Sequence, residues 1–350
     1  MKRLLNSTAV GFVTVSVACL GFVDAANSCS LILWNDNGQA VVAARTWDLY
    51  REDDARLVYL PRGIARRGVA EGNAAQWKSK FASAVLTAFD AGASDGMNEA
   101  GLSAHLLYLH GTEHETPDTR RAVSNVQWAQ YVLDNYATVA EALDGLNTVQ
   151  IVSSKAAGRE WPLHLAIEDA TGDSAVLEYV DGKLVVHHGK DVTVMTNEPT
   201  MDEQLVNLKR YKLFGGDLSM PGDVDPASRF VRASSYLKTL PKPANTYEAV
   251  SYLAGVARNV AVPFGAHDTS GGDSVDTWPT RWGTIVDLTH KVFYVIPAKS
   301  PAVFWVDFAA FNPKSSKILA LDPYNVRLGG DVSKQLKSFG SVQKAWPPAP

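Results

Sequence analysis

The chain has 350 residues, 46% of them hydrophobic and 20% charged, with a formal net charge of −4. That length suits one large domain or two small ones, at about 100–200 residues per domain. The mild acidity, with no basic stripe, excludes a nucleic-acid partner. Past the N-terminus no apolar run approaches the roughly 18 residues a bilayer-crossing helix needs, so no stable membrane span is expected.

Residues 1–28 read as an export signal. Lys2 and Arg3 supply a positive start, and residues 9–23 are almost wholly apolar yet too short for a comfortable span. Cleavage prefers small residues one and three places before the cut. Ala26 and Ser28 satisfy that rule for a cut ahead of Cys29. Val23 and Ala25 satisfy it for an earlier cut that leaves Ala26, Asn27 and Ser28 as a short propeptide. A competing reading makes Ser16-Val17-Ala18-Cys19 a lipoprotein signal with Cys19 lipidated, although Leu or Val usually stands where Ser16 does. The destination is periplasmic or secreted. Removing residues 1–28, which carry one net positive charge, leaves about −5 and retains Cys29 alone of the two cysteines. No intramolecular disulfide can then form, and an unpaired cysteine in an oxidising compartment asks for an explanation.

In chain order, residues 30–34 and 39–45 form a β-hairpin around the turn cluster Asn35-Asp36-Asn37-Gly38. Cys29 stands at its open end, and Arg45 to Asp48 finish the second strand. Residues 56–60 and 81–89 are β-like. Residues 95–102 (DGMNEAGL) read as a turn into an apolar run at 102–109. Residues 125–146 read as one helix, because Val126, Ala129, Val132, Leu133, Tyr136, Val139, Ala140 and Leu143 recur three and four residues apart. Strand-like pieces follow at 163–167, 174–179, 183–187 and 192–196. Helical patterns cover 228–238 and 246–260, and strands resume at 283–287, 291–296 and 303–308. Segregated runs of strands and helices fit an α+β architecture, with two largely antiparallel sheets between helices, better than a doubly wound parallel sheet. Residues 29–340 form a single domain, and the Pro-rich tail 341–350 is loose.

Several chemistries lack their signatures. There is no G-x-S-x-G elbow, no phosphate-binding glycine loop and no dinucleotide fingerprint. His105, His110 and His114 are interrupted by Gly111, and His187 and His188 are adjacent in a strand and point to opposite faces. Neither group has the geometry of a metal site. Cys29 is different. As the first residue of the mature chain it carries a nucleophilic thiol and a free α-amine of pKa about 7.7–8.0, which serves as its base. The competing reading is a small buried hydrophobe at a strand start. Arg45 and Asp48 close the paired strand, where a guanidinium favours the thiolate and a carboxylate orients the amine. An ordinary surface ion pair at a hairpin end is the plainer alternative.

From Cys29 to about Phe311 the sequence resembles the choloylglycine hydrolase and penicillin V acylase family of N-terminal-nucleophile hydrolases. The resemblance lies in Cys29 with Arg45-Thr46-Trp47-Asp48, in residues 95–102, in residues 195–200 (MTNEPT), in Ser228-Arg229-Phe230 and in residues 282–288 (WGTIVDL). It implies a four-layer αββα sandwich, with Cys29 as nucleophile and its own amine as base. It further implies that Asp48 holds the amine, that Arg45 lies beside the thiol, that Asn197 donates to the oxyanion and that Arg229 completes the charged site. Tyr108 falls where members carry Tyr or Asn, and its backbone amide would be the second oxyanion donor. Asn197 as a turn-former and Arg229 as a helix-start surface charge are the plain alternatives. The family cleaves linear amides: conjugated bile salts, phenoxyacetyl penicillin and N-acyl homoserine lactones. No cofactor or metal is implied. The short spacing from Asn197 to Arg229 leaves a homo-oligomer, dimer or tetramer, open. Trp34, Trp47 and Tyr50 are candidates to line an acyl pocket, with ordinary core as the alternative. The rival function is a non-catalytic periplasmic binding protein for bile-salt-like or acyl ligands.

Overall fold

The structure, a computed structural model, describes residues 29–340 apart from 69–72, 90–91, 213–217, 269–274 and 277. The export signal and the Pro-rich tail lie outside the described residues. The chain opens with β1 (Ser30–Trp34), β2 (Val42–Asp48) and β3 (Leu57–Leu60). Next come β4 (Ser83–Ala88), β5 (Gly92–Asn98) and β6 (Leu102–Tyr108). Helices α1 (Trp128–Asn135) and α2 (Val139–Leu146) lead to β7 (Leu163–Asp169), β8 (Ser174–Val180), β9 (Lys183–His188) and β10 (Val194–Thr196). Helices α3 (Met201–Leu208), α4 (Pro226–Thr239) and α5 (Thr246–Val260) precede β11 (Thr280–Asp287), β12 (Val292–Pro297) and β13 (Phe304–Asp307). Three short strands close the fold: β14 (Leu319–Leu321), β15 (Gly330–Asp331) and β16 (Lys337–Ser338).

Among the described residues two large sheets form. Sheet one runs β10-β1-β2-β11-β12-β13-β15, and sheet two runs β9-β8-β7-β6-β5-β4-β3-β14-β16. Helices α4 and α5 cover the outer face of sheet one across β1, β2 and β10, while α1 lies on β5 and β6 of sheet two. Contacts between the inner faces, such as Arg45 on β2 donating to the carbonyls of Ser94 and Leu106, place the sheets face to face. The result is the expected αββα sandwich. Its β-strands need apolar residues on both faces, which is why β1, β2, β3 and β4 are buried throughout.

Two local expectations are corrected, and one helix lies beyond them. Residues 95–98 are not a turn but the end of β5, and the turn is confined to Glu99–Gly101. Gly96 serves a close approach: a methyl there would stand 2.6 Å from Val85 Cγ1 and 3.0 Å from Leu133 Cδ1 of α1. The helix expected over 125–146 is broken at Tyr136–Thr138. Thr138 caps α2 by accepting the Glu141 N–H, and Asp169 accepts the Val139 N–H. Helix α3 has no counterpart in the hydrophobic pattern, although Thr200 and Glu203 form a capping box at its start.

Candidate active site

The hairpin expected from the sequence sets the site. Ser30 pairs with Thr46 and Leu31 with Arg45, so Cys29 lies just beyond the pairing, level with Trp47 and Asp48. Alternation then divides β2 between its two faces. Arg45 and Trp47 point inward to sheet two, while Thr46 and Asp48 point outward to α4 and α5. Cys29 sits between these two sets and is 4% exposed.

On the outer face, Thr46 Oγ1 accepts the Ser30 N–H at 3.0 Å and donates to Asp48 Oδ2 at 3.2 Å. Thr280 of β11, the cross-strand partner of Asp48, donates to Asp48 Oδ1. Arg229 on the first turns of α4 is fully buried. Its Nη1 donates to Cys29 O at 2.8 Å and Ser30 Oγ at 2.5 Å, and lies 3.8 Å from Asp48 Oδ2. Pro226 as the first residue of α4 and Asp225 as its N-cap start the helix where Arg229 can reach the strand. Arg229 is thus not a surface charge.

The Asn197 amide faces Cys29 from β10's end. Its Oδ1 accepts from Cys29 N, and its buried Nδ2 has no protein partner among the described residues. Gln204 of α3 fixes this segment by donating to Thr196 Oγ1 and Glu198 O, each at 2.9 Å. The contact to Asn197 differs from the expected one, in which Asp48 holds the Cys29 nitrogen. With Ser28 attached, that nitrogen is an amide donor and a carbonyl-type oxygen suits it.

On the inner face, Arg45 donates through Nη1 to Ser94 O at 2.5 Å and through Nη2 to Leu106 O. Its guanidinium lies 4.7 Å from the ring centre of Trp47, which stacks on Trp282 at 5.2 Å. Burial pushes the Cys29 thiol up to about 11; Arg45 pulls it down, Asp48 raises it further, and Arg229 adds a smaller pull down. The direction expected for Arg45 holds, but burial outweighs it, because a thiolate loses more hydration than the cations return. The thiol is therefore protonated at neutral pH.

The aromatic candidates separate. Trp47 lines an apolar pocket with Phe89, Leu106, Trp161 and Leu163. Tyr50, 39% exposed, rests on Trp278 at 5.3 Å, and Tyr108 meets the same indole edge-on at 5.8 Å. Trp34 does not join them. It is core at the far end of β1, opposite Val42, about 16 Å of strand from Cys29. Trp161, Trp278, Ser30, Thr280 and Gln204 were not singled out from sequence. Simple alternation misplaces Thr280: it stands two residues before Trp282, but a β-bulge between them turns Thr280 to the outer face beside Asp48 while Trp282 stacks on Trp47 on the inner face. No helix of the described residues is long and apolar enough to cross a membrane.

Comparison with known proteins places the chain in a family. Residues 29–319 match the linear amide C–N hydrolases, choloylglycine hydrolase family. The chain is 36% identical over 336 residues to a penicillin V acylase of Pectobacterium atrosepticum, covering 88% of this chain and 86% of that one. It superposes on the penicillin V acylase of Agrobacterium tumefaciens with a TM-score of 0.80 and 36% identity, covering 89% of this chain and 98% of the other. A conjugated bile acid hydrolase mutant from Clostridium perfringens shares the fold, with a TM-score of 0.71 at 22% identity over 90% of this chain and 99% of that one. The binding-protein alternative gives way to an enzyme, for the chain belongs to the choloylglycine hydrolase family and is a hydrolase of linear amide C–N bonds of the penicillin V acylase and bile salt hydrolase type.

Proposed function

We propose that the mature protein begins at Cys29 and is an exported acylase that prefers amides of flat aromatic acyl groups, as in penicillin V. The observation that carries the substrate class is the apolar pocket lined by Trp47, which stands level with Cys29 across the hairpin, together with Phe89, Trp161 and small or aliphatic residues. Such walls suit a planar ring. The 36% identity to two penicillin V acylases supports the same choice.

In this reading, release of residues 1–28 converts the Cys29 nitrogen from an amide into an amine of pKa about 7.7–8.0. The amine takes the thiol proton as sulfur attacks the substrate carbonyl. Negative charge develops on the carbonyl oxygen, and Asn197 Nδ2, unpartnered among the described residues, donates to it along with the Tyr108 backbone N–H. The ammonium then protonates the leaving amine as the C–N bond breaks. Water, deprotonated by the same amine, cleaves the thioester and restores Cys29. Arg229 fixes the Cys29 carbonyl, Asp48 balances the nearby cationic charge and orients the amine, and Arg45 attracts the developing thiolate. The export signal at residues 1–28 directs the enzyme to the periplasm or outside the cell.

The test is an intact-mass and N-terminal measurement on protein expressed with residues 1–28, followed by kcat/KM for penicillin V, a conjugated bile salt and an N-acyl homoserine lactone. A chain starting at Cys29 with the highest kcat/KM on penicillin V is expected. Full activity in a chain that retains Ser28 would end the amine-base mechanism. A higher kcat/KM on the bile salt would reverse the substrate choice.

A further inference from the structure

Arg45 is held by two main-chain carbonyls, Ser94 O and Leu106 O. Each carbonyl adjoins a buried ionisable residue, Asp95 on β5 and His105 on β6, and these two are cross-strand partners. His105 Nδ1 lies 2.5 Å from Asp95 Oδ1, and its Nε2 lies 3.1 Å from Glu168 Oε2 on β7. All three side chains are buried. Ser103 Oγ donates to Glu168 Oε2 at 2.6 Å. Thr284 of β11 donates to Asp95 Oδ2, and Thr284 is the cross-strand partner of Arg45 in sheet one. A row of charges, Glu168–His105–Asp95, therefore crosses three strands of sheet two and ends on sheet one beside Arg45.

The groups that face His105 are Asp95 from β5 and Glu168 from β7, with Arg45 from β2 on the far side of Asp95. A neutral imidazole would leave two interior carboxylates uncompensated, which is costly. Burial works against the cation, yet Asp95 and Glu168 raise His105 to about 9. Burial also works against the Asp95 anion, but His105 and Arg45 hold it below the usual carboxylate range. His105 and Asp95 are thus both charged at neutral pH, and the pair clamps β5 to β6 at the register position where their carbonyls meet Arg45. The hydroxyl of Thr284 ties the same clamp to the strand next to Arg45.

We propose that the Glu168–His105–Asp95 row is a positioning device for Arg45, locking the carbonyls that hold its guanidinium close to the Cys29 thiol. His105 is then a positioning residue for amide hydrolysis that acts through Arg45 and touches neither substrate nor nucleophile. The proposal rests on the reading of Cys29 as nucleophile. A row that only filled the interior would have no reason to bond the cross-strand partner of Arg45.

The test uses mature enzyme carrying Thr284→Val or His105→Gln, with kcat, KM and the pH profile of Cys29 alkylation by iodoacetamide as readouts. The expected result is an unchanged KM, a kcat lower by about 10- to 100-fold, and a thiol midpoint moved to higher pH as Arg45 loosens. Thr284→Val keeps all three charged residues and the side-chain shape, so it decides the matter if His105→Gln fails to fold. Folded Thr284→Val enzyme with wild-type kcat and thiol midpoint would overturn the proposal, even with a lowered unfolding midpoint. Cys29→Ala is assayed alongside. Wild-type turnover there defeats the nucleophile reading, whereas full loss there beside an unaffected Thr284→Val defeats only the positioning role.

Discussion

Arg229 donates to the main-chain oxygen of Cys29 at 2.8 Å, joining residues 200 positions apart. The guanidinium is fully buried and also bonds Ser30 Oγ. It anchors the residue proposed as nucleophile by its backbone carbonyl and so does not engage the thiol. Replacing it with Met should leave Asp48 without its nearest cation. We predict a loss of about 3–5 kcal/mol in folding stability and a large fall in kcat. Urea unfolding of Arg229→Met checks the first, and a stability within 1 kcal/mol of wild type, judged against that range, would contradict the buried contact.

Cys29→Ala should abolish turnover while leaving the fold intact, because Cys29 contributes one small buried side chain at the start of the hairpin. The cost in stability is at most about 1–2 kcal/mol. Intact mass after mixing with substrate should show an acyl adduct in wild type and none in the variant. An adduct on Cys29→Ala would place the nucleophile elsewhere.

Asn197→Ala removes the amide whose buried Nδ2 has no partner among the described residues. Loss of one oxyanion donor costs about 2.7–4 kcal/mol in the barrier, a fall of about 10²–10³ in kcat. The KM should stay near wild type, since the charge on oxygen is fully developed only in the transition state. A change confined to KM would assign Asn197 to ground-state binding instead.

The pH dependence of stability should carry a signature of Asp48. Burial pushes its carboxyl from 3.8 to about 7, against the pull of Arg229, Thr280, Thr46 and Arg45. Between those values the folded protein keeps a proton that the unfolded chain has released. The stability this proton confers is fully present below 3.8 and is lost as pH rises through about 7. Asp48→Asn, which cannot titrate, should therefore lack that decline. Denaturant midpoints of both proteins across this range give the comparison, and parallel curves would rule out the raised carboxyl.

Gly96→Ala tests the packing that replaced an expected turn. The added methyl would meet Val85 Cγ1 at 2.6 Å, Ala84 O at 2.9 Å and Leu133 Cδ1 at 3.0 Å. A main-chain oxygen cannot yield as a side-chain tip can, so a destabilisation of about 1–3 kcal/mol is expected. A thermal midpoint equal to wild type would mean that α1 moves aside freely.

The sequence by itself determined the hairpin, the position of Cys29 at its open end and the pairing that brings Arg45 and Asp48 level with it. Alternation and turn chemistry are local rules, and Asn35-Asp36-Asn37-Gly38 leaves them little freedom. Helix α5 was legible to the residue, because its apolar stripe and the Asn245 cap agree. Motif resemblance added Asn197 and Arg229, which no local rule links to Cys29. Tertiary structure decided the rest. It broke the expected helix at Tyr136–Thr138, where Asp169 from another strand holds the start of α2. It turned residues 95–98 into strand, because β4 and β6 offered hydrogen bonds on both sides. It separated Trp47 from Trp34, two aromatic residues near Cys29 in sequence that occupy opposite ends of the hairpin. It also set the Cys29 thiol at about 11, since burial depends on every layer around the residue and the attraction of Arg45 is a single pairwise contact.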